Sequence, residues 1–89
     1  MIGKSVTVCG RVQGVFYRAS TCDKASSLGL RGWVKNLPSG DVQIEAFGEE
    51  SAVQELIAWC KHGPPMASVT SIKVEETAFR EEAPFRVVY

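Results

Sequence analysis

Residues 10–18 read GRVQGVFYR, and their order suits the capture of an anion. The segment joins a strand-like stretch directly to a helix-like one. The first N–H groups of a helix lack partners within it, and the aligned peptide dipoles leave partial positive charge there. A loop curling over such an end aims several N–H groups at one point, as main-chain nests for phosphate do. Gly14 permits backbone conformations closed to other residues and lets a ligand approach closely. Arg18, at the expected helix start, adds a guanidinium able to make two parallel hydrogen bonds to a phosphate. A plainer reading fits the same residues: a glycine turn followed by a solvated arginine.

The known nucleotide loops do not occur, because neither GxxxxGK[ST] nor GxGxxG is present. No cysteine stands six positions before an arginine, which removes the loop of the cysteine phosphatases. Asn36, before Leu37-Pro38, reads by itself as a turn former. His62 falls where a helix is expected to end and complements its dipole there. No pair of carboxylates is set where metal ligands are plausible, so no metal or cofactor is expected. Trp33, Phe47 and Trp59 read as core or sheet-face aromatics, and Glu81-Glu82 as a solvated loop.

The elements that must hold this loop are legible from periodicity. Lys4 to Gly10 alternates as a first strand, and Arg11 to Tyr17 is a loop. From Arg18 the spacing becomes helical, with Ala19, Cys22, Ala25 and Ser26 on one stripe. Gly29 ends that helix, and Leu30 supplies the accompanying apolar contact. Arg31 to Leu37 is a second strand, turned back by Leu37-Pro38-Ser39-Gly40-Asp41. Asp41 to Phe47 alternates cleanly, with Val42, Ile44 and Ala46 facing one way and Gln43, Glu45 and Phe47 the other. Val53, Leu56, Ile57 and Cys60 then form an amphipathic stripe after Glu49 and Glu50, and Gly63-Pro64-Pro65 ends it. Ser68 to Glu75 is a strand, 77–84 a polar loop and 85–89 a short final strand. This is the split βαβ order of an α+β fold: an antiparallel sheet with two helices packed on one face.

The 89 residues predict one domain, 1–89, with a single thin core. Apolar residues make up 45% and charged residues 22%, ordinary values for a globular protein. Ten basic and ten acidic residues cancel, which argues against broad binding of nucleic acid or an anionic membrane. Any anion site must therefore be local. No apolar run is long enough to span a bilayer, and the opening residues contain no leader-like pattern. Cys9, Cys22 and Cys60 are odd in number and lack a Cys-x-x-Cys pair. They predict reduced packing residues in a cytoplasmic protein, and the balanced surface predicts a monomer.

Two segments carry a resemblance. Residues 10–18 resemble the first signature of the acylphosphatase family, G-R-V-Q-G-V-x-[FY]-R. Residues 32–48, GWVKNLPSGDVQIEAFG, resemble its second: glycine, aromatic, small apolar, basic, asparagine, three residues, glycine, then valine and a later glycine. Phe16 falls on the variable position of the first. The similarity spans essentially the whole chain and implies a ferredoxin-like fold and hydrolysis of the carboxyl–phosphate bond of acyl phosphates. It implies that Arg18 is catalytic and binds phosphate, and that Asn36 places the attacking water. The backbone amides of Gln13, Gly14, Val15, Phe16, Tyr17 and Arg18 would cradle the phosphate, without metal or cofactor. The acyl group is left open, because only the phosphate needs to be gripped.

Two other readings compete. RNA-recognition modules share the layout, but here Arg31-Gly32-Trp33-Val34 lies on the second strand and the rest of their motif is missing. A non-catalytic anion-binding regulatory module would keep the cradle, although the presence of both Arg18 and Asn36 counts against it.

Overall fold

A computed structural model describes all residues from Met1 to Tyr89. Seven elements follow one another: β1 (Ile2–Arg11), α1 (Tyr17–Ser27), β2 (Arg31–Asn36), β3 (Val42–Gly48), α2 (Glu50–Cys60), β4 (Ser68–Thr77) and β5 (Arg86–Val88). The strands form one sheet in the order β4-β1-β3-β2-β5. Alternation decides which face is covered. Val42, Ile44 and Ala46 of β3 join Val6, Val8 and Val34 in the core beneath both helices. The α2 stripe behaves as its spacing predicts, with Val53, Leu56 and Cys60 buried and Ile57 partly so.

Helix α1 departs from expectation. It starts at Tyr17, one residue early, and its buried line is Tyr17, Thr21 and Ala25, while Ala19 and Ser26 are exposed. The ring of Tyr17 reaches under α2, where its hydroxyl donates to the carbonyl of Cys60 at 2.8 Å. That one long-range bond rotates the helix stripe, and a local count of apolar residues cannot see it. The Thr21 hydroxyl donates to the carbonyl of Tyr17 at 2.8 Å, which makes a buried polar residue tolerable. The C-terminus behaves as expected. Leu30 N–H donates to Ala25 and Gly29 N–H to Ser26, the paired closure of a Schellman motif.

Burial pushes the Cys60 thiol up to about 12 and the Tyr17 phenol higher still. Both groups must lose protons more easily once unfolded. Their contribution to stability is therefore complete below the ordinary thiol range, near 8.5, and drains away as pH rises through the folded values. Urea midpoints should fall steadily from pH 8 to pH 11, and Cys60→Ala should flatten the first part of that decline. A flat wild-type profile would contradict this assignment.

The sheet is mixed rather than wholly antiparallel. Four strands pair antiparallel, but β5 runs parallel to β2. The reason lies in where β4 ends. Thr77 pairs with Gly3, at the same end of the sheet as the Gly48–Ile2 and Phe47–Arg31 pairs. The chain then crosses along that end, bridges to Arg31 at Pro84, and starts β5 beside the start of β2. This crossing strap also covers a sheet-face aromatic and corrects one expectation. Phe47, on the face away from the helices, is 2% exposed because the Arg80 guanidinium stacks over its ring at 4.6 Å. Glu82 is not free in solvent but accepts from Arg80 at 3.1 Å and lies 3.6 Å from Arg86. Arg80 also pairs with Glu45 at 2.8 Å, fastening the strap to β3.

Candidate active site

Strands β1, β2 and β5 all finish at the end of the sheet opposite the strap. From β1 the chain leaves through a register shift at Cys9/Gly10 and passes into the loop that feeds α1. Gly14 sits in that loop at φ 74, and a Cβ there would meet nothing within 4 Å. Its requirement is therefore conformational rather than spatial, because positive φ is cheap only for glycine. Val12 and Val15 turn inward and are buried, anchoring the loop from below. The N–H groups from Gln13 to Arg18 make no backbone hydrogen bond within the chain. Six successive amides beside a helix start are thus left without an internal acceptor.

Phe16 caps α1 in the left-handed region at φ 66, ψ 19, the one non-glycine residue with positive φ. That conformation costs a residue with a Cβ about 1–2 kcal/mol. A glycine would avoid the strain but bring extra chain freedom on unfolding, about 0.5–1 kcal/mol. The two nearly offset, and the ring itself is 77% exposed, so it contributes little to holding the fold.

Arg18 projects from the first turn of α1 and makes no ion pair. Its guanidinium lies 4.9 Å from the ring centre of Tyr89. An aromatic face steadies a cation without neutralising it, so the full charge remains available to an anion. Across the cleft, the last residue of β2 is Asn36. Its Oδ1 is the one buried side-chain polar atom in the chain without a hydrogen-bond partner. A half-turn of the carboxamide exchanges oxygen and nitrogen, so either can face the cleft. Leaving such a group unmatched costs about 1–3 kcal/mol.

The sequence placed Gln13 among the cradle amides but gave no role to its side chain. The structure supplies one. Nε2 donates at 2.9 Å to both Leu37 O and Asp41 O, the two ends of the β2–β3 turn. Both acceptors are carbonyls, so the orientation of this amide is fixed by chemistry. The loop carrying the amides is thereby tied to the turn that immediately follows Asn36. No local pattern signals such a contact between residues 24 and 28 positions apart.

Arg18, Asn36, Gly14 and Phe16 line a single open cleft of about 270 Å³ together with Val87 and Tyr89. That volume is just below the range of drug-sized pockets, roughly 300–1,000 Å³, and suits a small phosphorylated molecule. Of the segment expected to form the cradle, Gln13 and Val15 lie outside this lining, and Tyr17 contributes from a buried position. His62 lies elsewhere, past the end of α2, and no three His, Cys, Asp or Glu side chains cluster as metal ligands.

Comparison with known proteins gives a consistent result. The acylphosphatase family profile matches residues 4–87. An acylphosphatase of Methylococcus capsulatus is 56% identical over 86% of this chain and 84% of its own length. A solved acylphosphatase from Coxiella burnetii superposes with a TM-score of 0.94 at 45% identity, covering 98% of this chain and 92% of that one. The crystal structure of acylphosphatase from Bacillus subtilis gives a TM-score of 0.96 at 39% identity over the whole of both chains.

Proposed function

Since this chain belongs to the acylphosphatase family and is an enzyme that hydrolyses acyl phosphates, we propose that the work is divided between Arg18 and Asn36. Arg18 and the amides of 13–18 grip the phosphate, and Asn36 holds the water that attacks phosphorus. What supports this reading is the convergence, on one cleft, of an unpaired guanidinium, a run of unused amides and an unmatched carboxamide.

The chemistry needs little more. An acyl phosphate is a mixed anhydride, and its carboxylate leaves readily at neutral pH without a general acid. Phosphoryl transfer passes through a loose transition state with charge on the equatorial oxygens, so catalysis is mostly positioning and electrostatic stabilisation. The water oxygen forms a bond to phosphorus as the bond to the acyl oxygen breaks. The electron pair leaves on the carboxylate, and the proton of the water passes to a phosphate oxygen. A neutral amide is sufficient to orient such a water.

The same proposal extends to the molecule as a whole. It acts as one unit from residue 1 to 89, as a monomer in the cytoplasm, with no nucleic acid partner. Balanced charge and three unbridged cysteines support this, and no helix is long and apolar enough to cross a membrane. Hydrolysis of benzoyl phosphate should proceed at full rate in excess EDTA. Activity lost in chelator and restored by a divalent ion would overturn the metal-free reading. Phosphate binding without turnover would leave an anion-binding module in its place.

A further inference from the structure

The cleft holds more apolar surface than a phosphate can use. Val12, Phe16, Tyr17, Ala19, Val87 and Tyr89 line it beside Arg18 and Asn36. Val12 and Tyr17 belong to the core, but Phe16 and Tyr89 are among the most exposed large apolar side chains of the molecule, at 77% and 98%. Phe16 keeps its ring in water at a strained backbone position where that ring adds almost nothing to the fold. The phosphate end of every substrate is the same, so only the acyl group can distinguish one from another. It is also the acyl group that must extend from the amides towards the rim.

We infer that Phe16 sets acyl-group preference, its ring packing against the acyl part and favouring flat, apolar acyl phosphates over acetyl phosphate. This rests on the phosphate being held at Arg18. The main-chain N–H of Phe16 belongs to the proposed cradle, whereas its ring stands outside it, so the two contributions are separable. Tyr89, already against Arg18, offers a second apolar wall.

The test compares kcat/KM for benzoyl phosphate with that for acetyl phosphate in the wild type, in Phe16→Gly and in Phe16→Asn. Both replacements accept a left-handed backbone, and circular dichroism checks their folding. Damage to the cradle lowers both substrates alike, and intrinsic leaving-group reactivity cancels between variants. The benzoyl-to-acetyl ratio should fall about tenfold in both, the size of an aromatic contact. Inhibition by benzylphosphonate relative to methylphosphonate, neither of which can be cleaved, should fall in parallel. Hydrolysis of both substrates with an unchanged ratio would overturn the role of Phe16 alone. A wild type that hydrolyses neither would overturn the underlying reading, and this one with it.

Discussion

Arg18→Ala should lower kcat/KM for benzoyl phosphate on the order of 10³–10⁴-fold and weaken inhibition by inorganic phosphate at least tenfold. Two losses combine. A hydrogen bond to a charged group contributes about 1.5–3 kcal/mol to binding, and a guanidinium makes two at once. Removing one preorganised donor from developing negative charge costs about 10²–10³ in rate. The fold should be nearly indifferent, because Arg18 pairs with no carboxylate and stacks on the ring of the exposed Tyr89. Surface changes of this kind usually stay within about 0.5 kcal/mol. Melting temperature and steady-state kinetics, measured on the same preparation, separate the two effects. Near-normal phosphate inhibition in this variant would refute the assignment.

Asn36→Ala should behave differently. We expect kcat to drop on the order of 10²-fold, the effect of losing one positioning group, while phosphate inhibition stays within about threefold. In the proposed division of work the amide acts on the water and not on the anion, so the loss belongs to turnover. Stability should hold or rise slightly. In the folded chain Oδ1 is buried without a partner, and deleting an unmatched polar group removes a penalty instead of a bond. The combination of a crippled kcat with an unchanged or higher melting temperature is unusual for a substitution at the end of a central strand. Equal losses of affinity and rate would place Asn36 on the phosphate instead.

Local chemistry explains which features were legible in the sequence. The α2 stripe, the Gly29 helix end, the 37–41 turn and the alternation of β3 all depend on neighbours within a few residues, and the structure has each of them. The misread features depend on distant partners. Tyr17 looks like loop until Cys60 supplies an acceptor from 43 residues away. Glu82 reads as solvated until the strap sets it against Arg80 and Arg86. The parallel placement of β5 follows from the end at which β4 stops, which is a property of the whole sheet. The candidate site divides in the same way. The GRVQGVFYR loop admits an anion site by its composition, beside the plainer reading of a glycine turn and a solvated arginine, and on local grounds Asn36 is only a turn residue. Its place opposite Arg18 depends on β2 pairing with β3 and on Gln13 tying the two loops together.

The amides between Gln13 and Arg18 have a consequence for how this enzyme tolerates substitution. Apart from a change to proline, which removes its own N–H, no substitution of a side chain deletes a main-chain group. Along most of the loop a substitution other than proline therefore alters what would surround a bound phosphate while leaving the proposed gripping atoms in place. The vulnerable letter is Gly14, whose φ of 74 disfavours a Cβ although nothing crowds the position. Phe16, by contrast, already bears a Cβ in a left-handed turn, so its side chain is open to exchange. Variation in such a loop is filtered by dihedral angle rather than by functional group, and new substrate preferences can be tried there without dismantling the grip on phosphate.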